Sequence, residues 1–385
     1  MGRWQRNITC IEDLKELARK RVPRMFYDYV DSGSWTGSTY RANAQDLAEI
    51  RFRQRIGRNV DVQTQCTVLV GEPAAMPVIL APTGLAGMQH ADGEILAARA
   101  AQNFGVPFVL STMSVCSIED VAEHTDKPFW FQLYVMRDRA FVERLIARAR
   151  DAKCAALMLT LDLPVQGQRH KDIKNGLSAP PRLTLQSIAS LAAKPRWCLG
   201  MLRTHRHSFR NIVGHAEGVS DVSSMARWVE EQFNQRMSWD EIRWIRKAWD
   251  GKLILKGIMD ADDARMAVEF GADALVVSNH GGRQLDGVAS SITALPRIVE
   301  AVGGQTEILF DGGIQSGQDV LKAVALGAKG TMIGRSFLYG LGALGEAGVT
   351  RCLEIIHKEM ELSMALCGVN QITEVDSSIL EIGRS

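Results

Sequence analysis

The stretch VVSNHGGRQLDG, residues 276–287, places a histidine at the end of an apolar run and an arginine three residues later. Histidine is the side chain whose ordinary pKa suits proton transfer at neutral pH. A guanidinium gives a planar, charge-assisted grip on a carboxylate or phosphate. Gly281 and Gly282 let the chain turn sharply between His280 and Arg283. The pattern suits a base and an anion clamp set side by side. A histidine alone is more often a satisfied core residue, so the groups brought to this point by the rest of the chain decide its role.

Those groups depend on a repeating rhythm. Eight apolar runs of strand length occur at 77–83, 106–112, 129–134, 156–162, 252–257, 274–280, 307–313 and 330–335. Most are nearly continuous, as strands covered on both faces should be. Amphipathic segments lie between them, such as DRAFVERLIARARDA at 138–152. Ser117 with Asp120, and Ser238 with Glu241, have capping-box spacing, and Gly105, Gly251, Gly271 and Gly327 read as stops. Strand centres lie roughly 22 to 32 residues apart, one βα unit. The pattern predicts an α/β fold, a (β/α)8 TIM barrel with a long insertion after strand 4. It gives one domain over 1–385, with an N-terminal extension at 1–66, a barrel at 67–350 interrupted by 173–222, and C-terminal helices at 351–385. The extension reads as a cap on the barrel's N-terminal side or a lid at its mouth.

Each strand ends in polar residues or glycine: Pro82-Thr83-Gly84, Ser111, Gln132 and Tyr134, Thr160 and Asp162, Lys256, Ser278 and His280, Asp311-Gly312-Gly313, and Gly334-Arg335. In a barrel these ends share the face that carries the active site. Turn chemistry explains the glycines, but not Gln132, Lys256 and His280. Glycines after strand 7, a following helix N-terminus and Arg335 after strand 8 make an expected phosphate site.

The 385 residues are 46% hydrophobic and 23% charged with net charge +1, so no overall field favours nucleic acid. Seven scattered cysteines without a C-x-x-C predict neither a disulfide framework nor a metal site, and suit a reducing cytoplasm. MGRWQRNITC has no secretory signal pattern, and no run reaches the ~18 apolar residues of a spanning helix.

With SNHGGRQLDG, ILKG upstream and DGG and GR downstream, the chain resembles the FMN-dependent 2-hydroxy acid oxidases and dehydrogenases. The resemblance runs from about residue 8 to 375. LSTMSVCSIEDVA, FWFQLYVMRDR and GRSFLYGLGALGEAGV look most like the bacterial quinone-linked L-lactate dehydrogenases. It implies FMN as cofactor, an (S)-2-hydroxy acid substrate such as L-lactate, a quinone or other respiratory acceptor, and a homotetramer. By position, His280 matches the base and Asp162 its carboxylate partner. Tyr29 and Tyr134 match the substrate-binding tyrosines, and Arg169 and Arg283 the carboxylate-binding arginines. Pro82, Thr83, Gly84, Ser111, Gln132, Thr160, Lys256 and Ser278 match flavin contacts. Asp311, Gly312, Gly313, Gly334 and Arg335 match ribityl and phosphate contacts.

Two departures bear on specificity. Gln315 stands where the family usually has a basic residue, and Met113 with Gly84 stands where glycolate oxidases carry tryptophan and alanine. The alternatives are a mandelate-type dehydrogenase, an oxygen-using oxidase, or a flavin-free barrel serving as a binding protein.

No acidic residue occurs between Asp172 and Glu217, whereas Lys174, Arg182, Lys194, Arg196, Arg203, Arg206 and Arg210 do, interleaved with Leu183, Leu185, Ile188, Leu191, Trp197, Leu199, Met201 and Leu202. Bases with tryptophan and leucine describe an interfacial membrane segment. The loop also resembles the membrane segment of mandelate dehydrogenase. Residues 173–216 are therefore expected to make a peripheral contact on the inner face of the cytoplasmic membrane. The other reading is an active-site lid or an oligomer contact.

Overall fold

A computed structural model describes residues 7–177, 185–216 and 237–381, with Val219, Trp228 and Gln232 between them. Of the basic and apolar insertion residues, Arg182 and Leu183 lie outside the described residues.

All eight expected strands form. They are β3 (Val78–Leu80), β4 (Val109–Ser111), β5 (Trp130–Leu133), β6 (Ala156–Thr160), β7 (Lys252–Ile258), β8 (Ala274–Val277), β9 (Glu307–Asp311) and β10 (Gly330–Ile333). The order β3-β10-β9-β8-β7-β6-β5-β4 is parallel throughout. A parallel bridge between Leu80 and Phe108 closes the ring. The structure is the expected barrel.

Inside it, Ile79, Val109, Trp130, Met158, Ile254, Val276, Leu309 and Met332 pack as one apolar plug. Strand side chains alternate with period two. Two residues further along each strand, the same inward face presents Ala81, Ser111, Gln132, Thr160, Lys256, Ser278, Asp311 and Gly334. The site residues are thus the layer above the plug. The bottom is sealed by a hairpin that precedes the first barrel strand, β1 (Thr67–Leu69) with β2 (Glu72–Ala74). Its Leu69 is fully buried, a burial that contributes about 1.5–3 kcal/mol. Leu69 leaves no room for a Cβ at Gly330, which would sit 2.6 Å from its side chain. Trp130 Nε1 donates to Glu72 at 2.7 Å and pins the hairpin to the plug.

The extension acts as a lid. Helix α1 (Ile11–Arg21) packs on the C-terminal helices Arg335–Leu344 and Glu346–Cys367. Helix α2 (Arg24–Val30) then reaches the barrel mouth, and α3 (Ser38–Glu49) packs against the turn at His280–Gly282. The helix Glu346–Cys367 runs through the expected 350/351 boundary.

Ser117 and Asp120 form the expected capping box. Gly271 and Gly327 follow their helices with φ of +80° and +105°, the left-handed stop that glycine favours. The Ser238–Glu241 box does not form: the Ser238 side chain makes no cap hydrogen bond, and the Glu241 amide bonds the Ser238 carbonyl instead. That helix ends at Ala248, three residues before the expected stop at Gly251, and Trp249 is extended.

The insertion supplies helices Leu185–Ala192 and Pro195–Arg203. Its basic run is partly turned inward. Arg206 lies 3.0 Å from both Asp92 and Asp120, and Arg210 lies 3.4 Å from Asp120. Lys194 donates to the Lys20 carbonyl at 2.6 Å. The window holds no acid of its own, but the barrel provides two. Arg206, Arg210 and Lys194 are thus ion-paired or bonded to the fold, so part of the segment's positive charge is engaged internally.

Candidate active site

A cavity of about 1530 Å³ opens at the strand ends. Of the expected residues, Tyr29, Pro82, Thr83, Gly84, Tyr134, Thr160, Arg169, Lys256, His280, Arg283, Asp311, Gly312, Gly313, Gly334 and Arg335 line it. Asp162 reaches it through His280. Ser111, Gln132 and Ser278 are buried in the same inward layer without lining it.

His280 has φ +58°, followed by Gly281 at +61° and Gly282 at +72°. A non-glycine residue in this region is strained, and such strain concentrates at functional sites. Neighbouring bonds hold it. The Asn279 and Asn43 amides form a buried reciprocal pair at 2.9 and 2.8 Å, tying the turn to α3. The His280 amide donates to Ser278 Oγ at 3.1 Å.

His280 Nδ1 lies 2.9 Å from Asp162 Oδ1. Burial would raise the Asp162 carboxyl, but His280 and Lys256 outweigh it and hold the group below its ordinary value. An ionised Asp162 can only accept, so Nδ1 carries the hydrogen and Nε2 keeps its lone pair for a ligand. Burial pushes the imidazole below its ordinary value despite Asp162, with Lys256 and Arg169 adding to the fall. At neutral pH the dyad is a carboxylate and a neutral imidazole, which is the state a base requires. Room for it comes from Gly257, at φ +107° in a β7–β8 irregularity, where a Cβ would sit 2.7 Å from the Asp162 side chain.

Two arginines share the other side. Arg283 stacks on the Tyr29 ring, 4.6 Å from its centroid, and its Nη1 donates to Tyr29 and Ser32. Arg169 is buried, donates to the Arg283 carbonyl at 3.3 Å and lies 3.9 Å from Asp172. Burial, together with Arg283, pulls Arg169 down to about 10. Among the described residues, Arg283 Nη2 is buried without a hydrogen-bond partner. A buried guanidinium and a half-buried one, with Asp172 as the carboxylate beside Arg169, form a receptor for an anion.

Lys256 Nζ contacts Ser278 Oγ at 2.8 Å and Asp311 at 2.7 Å. Burial would lower it, but Asp311 and Asp162 keep it above its ordinary value, hence cationic. Gln132 Nε2 and Thr160 Oγ1 are also buried without partners, while Ser111 Oγ donates to Gln132 Oε1 at 3.0 Å. Gly312 and Gly313, at φ +122° and +89°, bring bare backbone to the cavity. Orphaned donors, a buried cation and glycine turns fit a flavin: Gln132, Thr160 and Lys256 would hold its polar ring edge, and the glycine turns its phosphate. Arg335 is half-buried there, with its Nε and Nη2 donating to the carbonyls of Val30, Ser32 and Gly281 and its plane over Tyr40. It therefore also joins the lid to the His280 turn.

Sequence reasoning missed the residues that brace this set. Asn43 holds the strained turn. Gln284 donates to the carbonyls of Asp162 and Val165, both at 2.9 Å, and accepts from the Gly167 amide. Asp172, whose carboxyl burial pushes up, neighbours Arg169. Gln284 was inside the quoted motif, but its partners are more than a hundred residues away.

The FMN-dependent dehydrogenase family model matches residues 18–382. The L-lactate dehydrogenase of Pseudomonas syringae pv. syringae is 46% identical over 377 residues, covering 97% of this chain and 98% of that protein. The L-lactate dehydrogenase of Caulobacter vibrioides is 45% identical, with 97% of each covered. Among solved structures, the monotopic membrane protein (S)-mandelate dehydrogenase superposes with TM-score 0.93 at 34% identity, covering 98% of this chain and 100% of that one. A mandelate oxidase with (S)-2-phenylpropionate gives 0.81 at 33% identity, covering 97% and 98%. The barrel agrees with the structural matches, and the chain belongs to the FMN-dependent dehydrogenase family.

Proposed function

We propose that this enzyme oxidises a small (S)-2-hydroxy acid, L-lactate foremost, to the 2-oxo acid, and passes the electrons to a quinone at a membrane. The observation that carries the substrate class is the Arg169–Arg283 pair, with the buried and unpartnered Nη2 of Arg283, set in the same cavity as His280 of the His280–Asp162 dyad. The arginines take the carboxylate and fix the substrate carbon. His280 Nε2 takes the proton that leaves the substrate, and Asp162 steadies the imidazolium that results. Tyr29 and Tyr134 line the same space and are suited to bond the substrate's oxygens. Bound FMN supplies the two-electron acceptor. Gln132, Thr160 and Lys256 would hold its polar ring edge, with Lys256 countering the charge that reduction places there. Gly312, Gly313, Gly334 and Arg335 would hold the ribityl phosphate.

The choice of L-lactate is supported by the named relatives and by a tight wall. A Cβ at Gly84 would meet Met113 and the Tyr29 hydroxyl at 3.3 Å. A second reading, an aromatic hydroxy acid, is favoured by the large cavity and by the mandelate-dehydrogenase likeness. Anaerobic bleaching of the flavin by L-lactate, glycolate, L-mandelate and longer 2-hydroxy acids separates them. L-lactate is expected to bleach fastest. Faster bleaching by mandelate would install the second reading, and no bleaching by any acid would end both. Peroxide release without added acceptor would point to oxygen as the oxidant.

Membrane contact is supported by Ile188, Leu199 and Leu202, exposed on the insertion helices, Leu202 to 83%. Among the described residues no helix is long and apolar enough to cross a membrane. The inner face of the cytoplasmic membrane is the proposed location. Replacing Leu199 and Leu202 by serine is expected to weaken binding to anionic lipid vesicles. Unchanged vesicle binding would sink the membrane reading.

A further inference from the structure

We infer that the apolar arm of the cavity, walled by Phe26, Leu85, Met88, Leu191 and Trp197, is where the ring of a lipophilic quinone docks to take electrons from the reduced flavin. The inference rests on the quinone reading above and gives it a place.

The cavity is larger than one ligand needs. A pocket for a drug-sized molecule spans about 300–1,000 Å³, whereas this one holds about 1530 Å³. The strand ends, His280 and the two arginines account for a flavin and a three-carbon acid. The stretch of wall formed by Phe26, Leu85, Met88, Leu191 and Trp197 carries no charge, whereas Arg41, Asp172 and His207 line other parts of the cavity. Phe26 and Tyr29 lie three residues apart on α2 and so share a face. Tyr29 serves the substrate end, and Phe26 begins the arm one turn away. Phe26 stacks on Trp197 with centroids 5.3 Å apart and planes at 27°. Trp197 Nε1 donates to the Met88 carbonyl at 2.9 Å, which fixes the indole. Met88 ends the short turn that follows Gly84 and Leu85. The arm therefore starts beside the glycine expected to contact the flavin.

Its outer wall comes from the two insertion helices. Leu191 and Trp197 line the cavity, while Ile188, Leu199 and Leu202 of the same helices face outward. A pair of helices that is apolar on its outer side and aromatic on its cavity side suits a ligand arriving from lipid. A quinone ring is flat, apolar on its faces and stacks on aromatic rings. A three-carbon acid has nothing to place there. Forming the 2-oxo acid releases two electrons and two protons, and the quinone takes up two electrons and two protons and leaves as the hydroquinone, so the couple balances. The electrons are those removed from the hydroxy acid and stored on FMN, and the oxidised cofactor is restored.

The test uses the FMN-loaded enzyme with a short-chain benzoquinone and the variants Trp197→Ala, Phe26→Ala and Trp197→Phe. In stopped flow, the alanine variants are expected to need about tenfold more quinone for half-maximal flavin reoxidation. Trp197→Phe should retain most of the affinity. Flavin reduction by L-lactate, and reoxidation by ferricyanide, should stay within about twofold of the parent, which excludes misfolding. In the oxidised enzyme, quinone titration should quench tryptophan fluorescence saturably, with a smaller amplitude in Trp197→Phe. Equal quinone dependence in the parent and both alanine variants would overturn the site while leaving the quinone reading intact. So would a raised KM for L-mandelate with unchanged quinone dependence, which would assign the arm to a substrate tail. A parent enzyme bleached by L-lactate but not reoxidised by quinone would mark failure of the acceptor reading itself, and of this site with it.

Discussion

Replacing His280 by glutamine is expected to leave a yellow, FMN-loaded protein that L-lactate reduces about 10²- to 10⁴-fold more slowly, the usual contribution of a positioned base. Glutamine keeps a hydrogen-bonding group near Asp162 but has no lone pair basic enough to take the proton. The cradle at Thr160, Lys256 and Gly312 does not depend on the ring, so cofactor content should hold. The pH profile is a separate readout. His280 must be neutral to act, so kcat/KM of the parent should fall as pH drops through its pKa. Burial places that pKa below the ordinary histidine value. The acid limb should therefore lie lower than an exposed histidine would give, and it should vanish in His280→Gln. Near-parental bleaching by the variant, at any pH, would refute the assigned base.

The barrel was legible because parallel strands buried on both faces are written as continuous apolar runs, and because their polar ends fall two residues beyond the plug. Trp130 then Gln132, Ile254 then Lys256, and Val276 then Ser278 repeat one period. Local spacing predicts such residues well. It does not report partners brought from far along the chain. The Asn43–Asn279 pair spans 236 residues, and Gln284 reaches Asp162 across 122. Nothing local to Gly257 shows that it makes the space that Asp162 fills. The insertion shows the same dependence on distant partners. Its bases look free within their own window, yet Asp92 and Asp120 neutralise Arg206 and Arg210 from outside it.

The substrate clamp gives the second large expected effect. Arg283→Met keeps a long apolar stem against Tyr29 and deletes the guanidinium. Removing one partner of a buried charge pair costs about 2–5 kcal/mol, which is roughly 30- to 5,000-fold in kcat/KM. Arg283 touches a carboxylate present in both substrate and transition state, so KM should rise by more than kcat falls. The loss should not be complete, because Arg169 remains. Arg169 is lowered only to about 10, so it stays fully cationic at neutral pH and keeps part of the grip on the carboxylate. The variant also strips a donor from the Tyr29 and Ser32 carbonyls, which raises a structural explanation. Added guanidinium ion distinguishes the two. It should restore part of the activity if the missing group is a cation in the cavity, and none if the lid has simply loosened. An unchanged KM for L-lactate would show that the carboxylate binds elsewhere, and the anion receptor would lose its assignment.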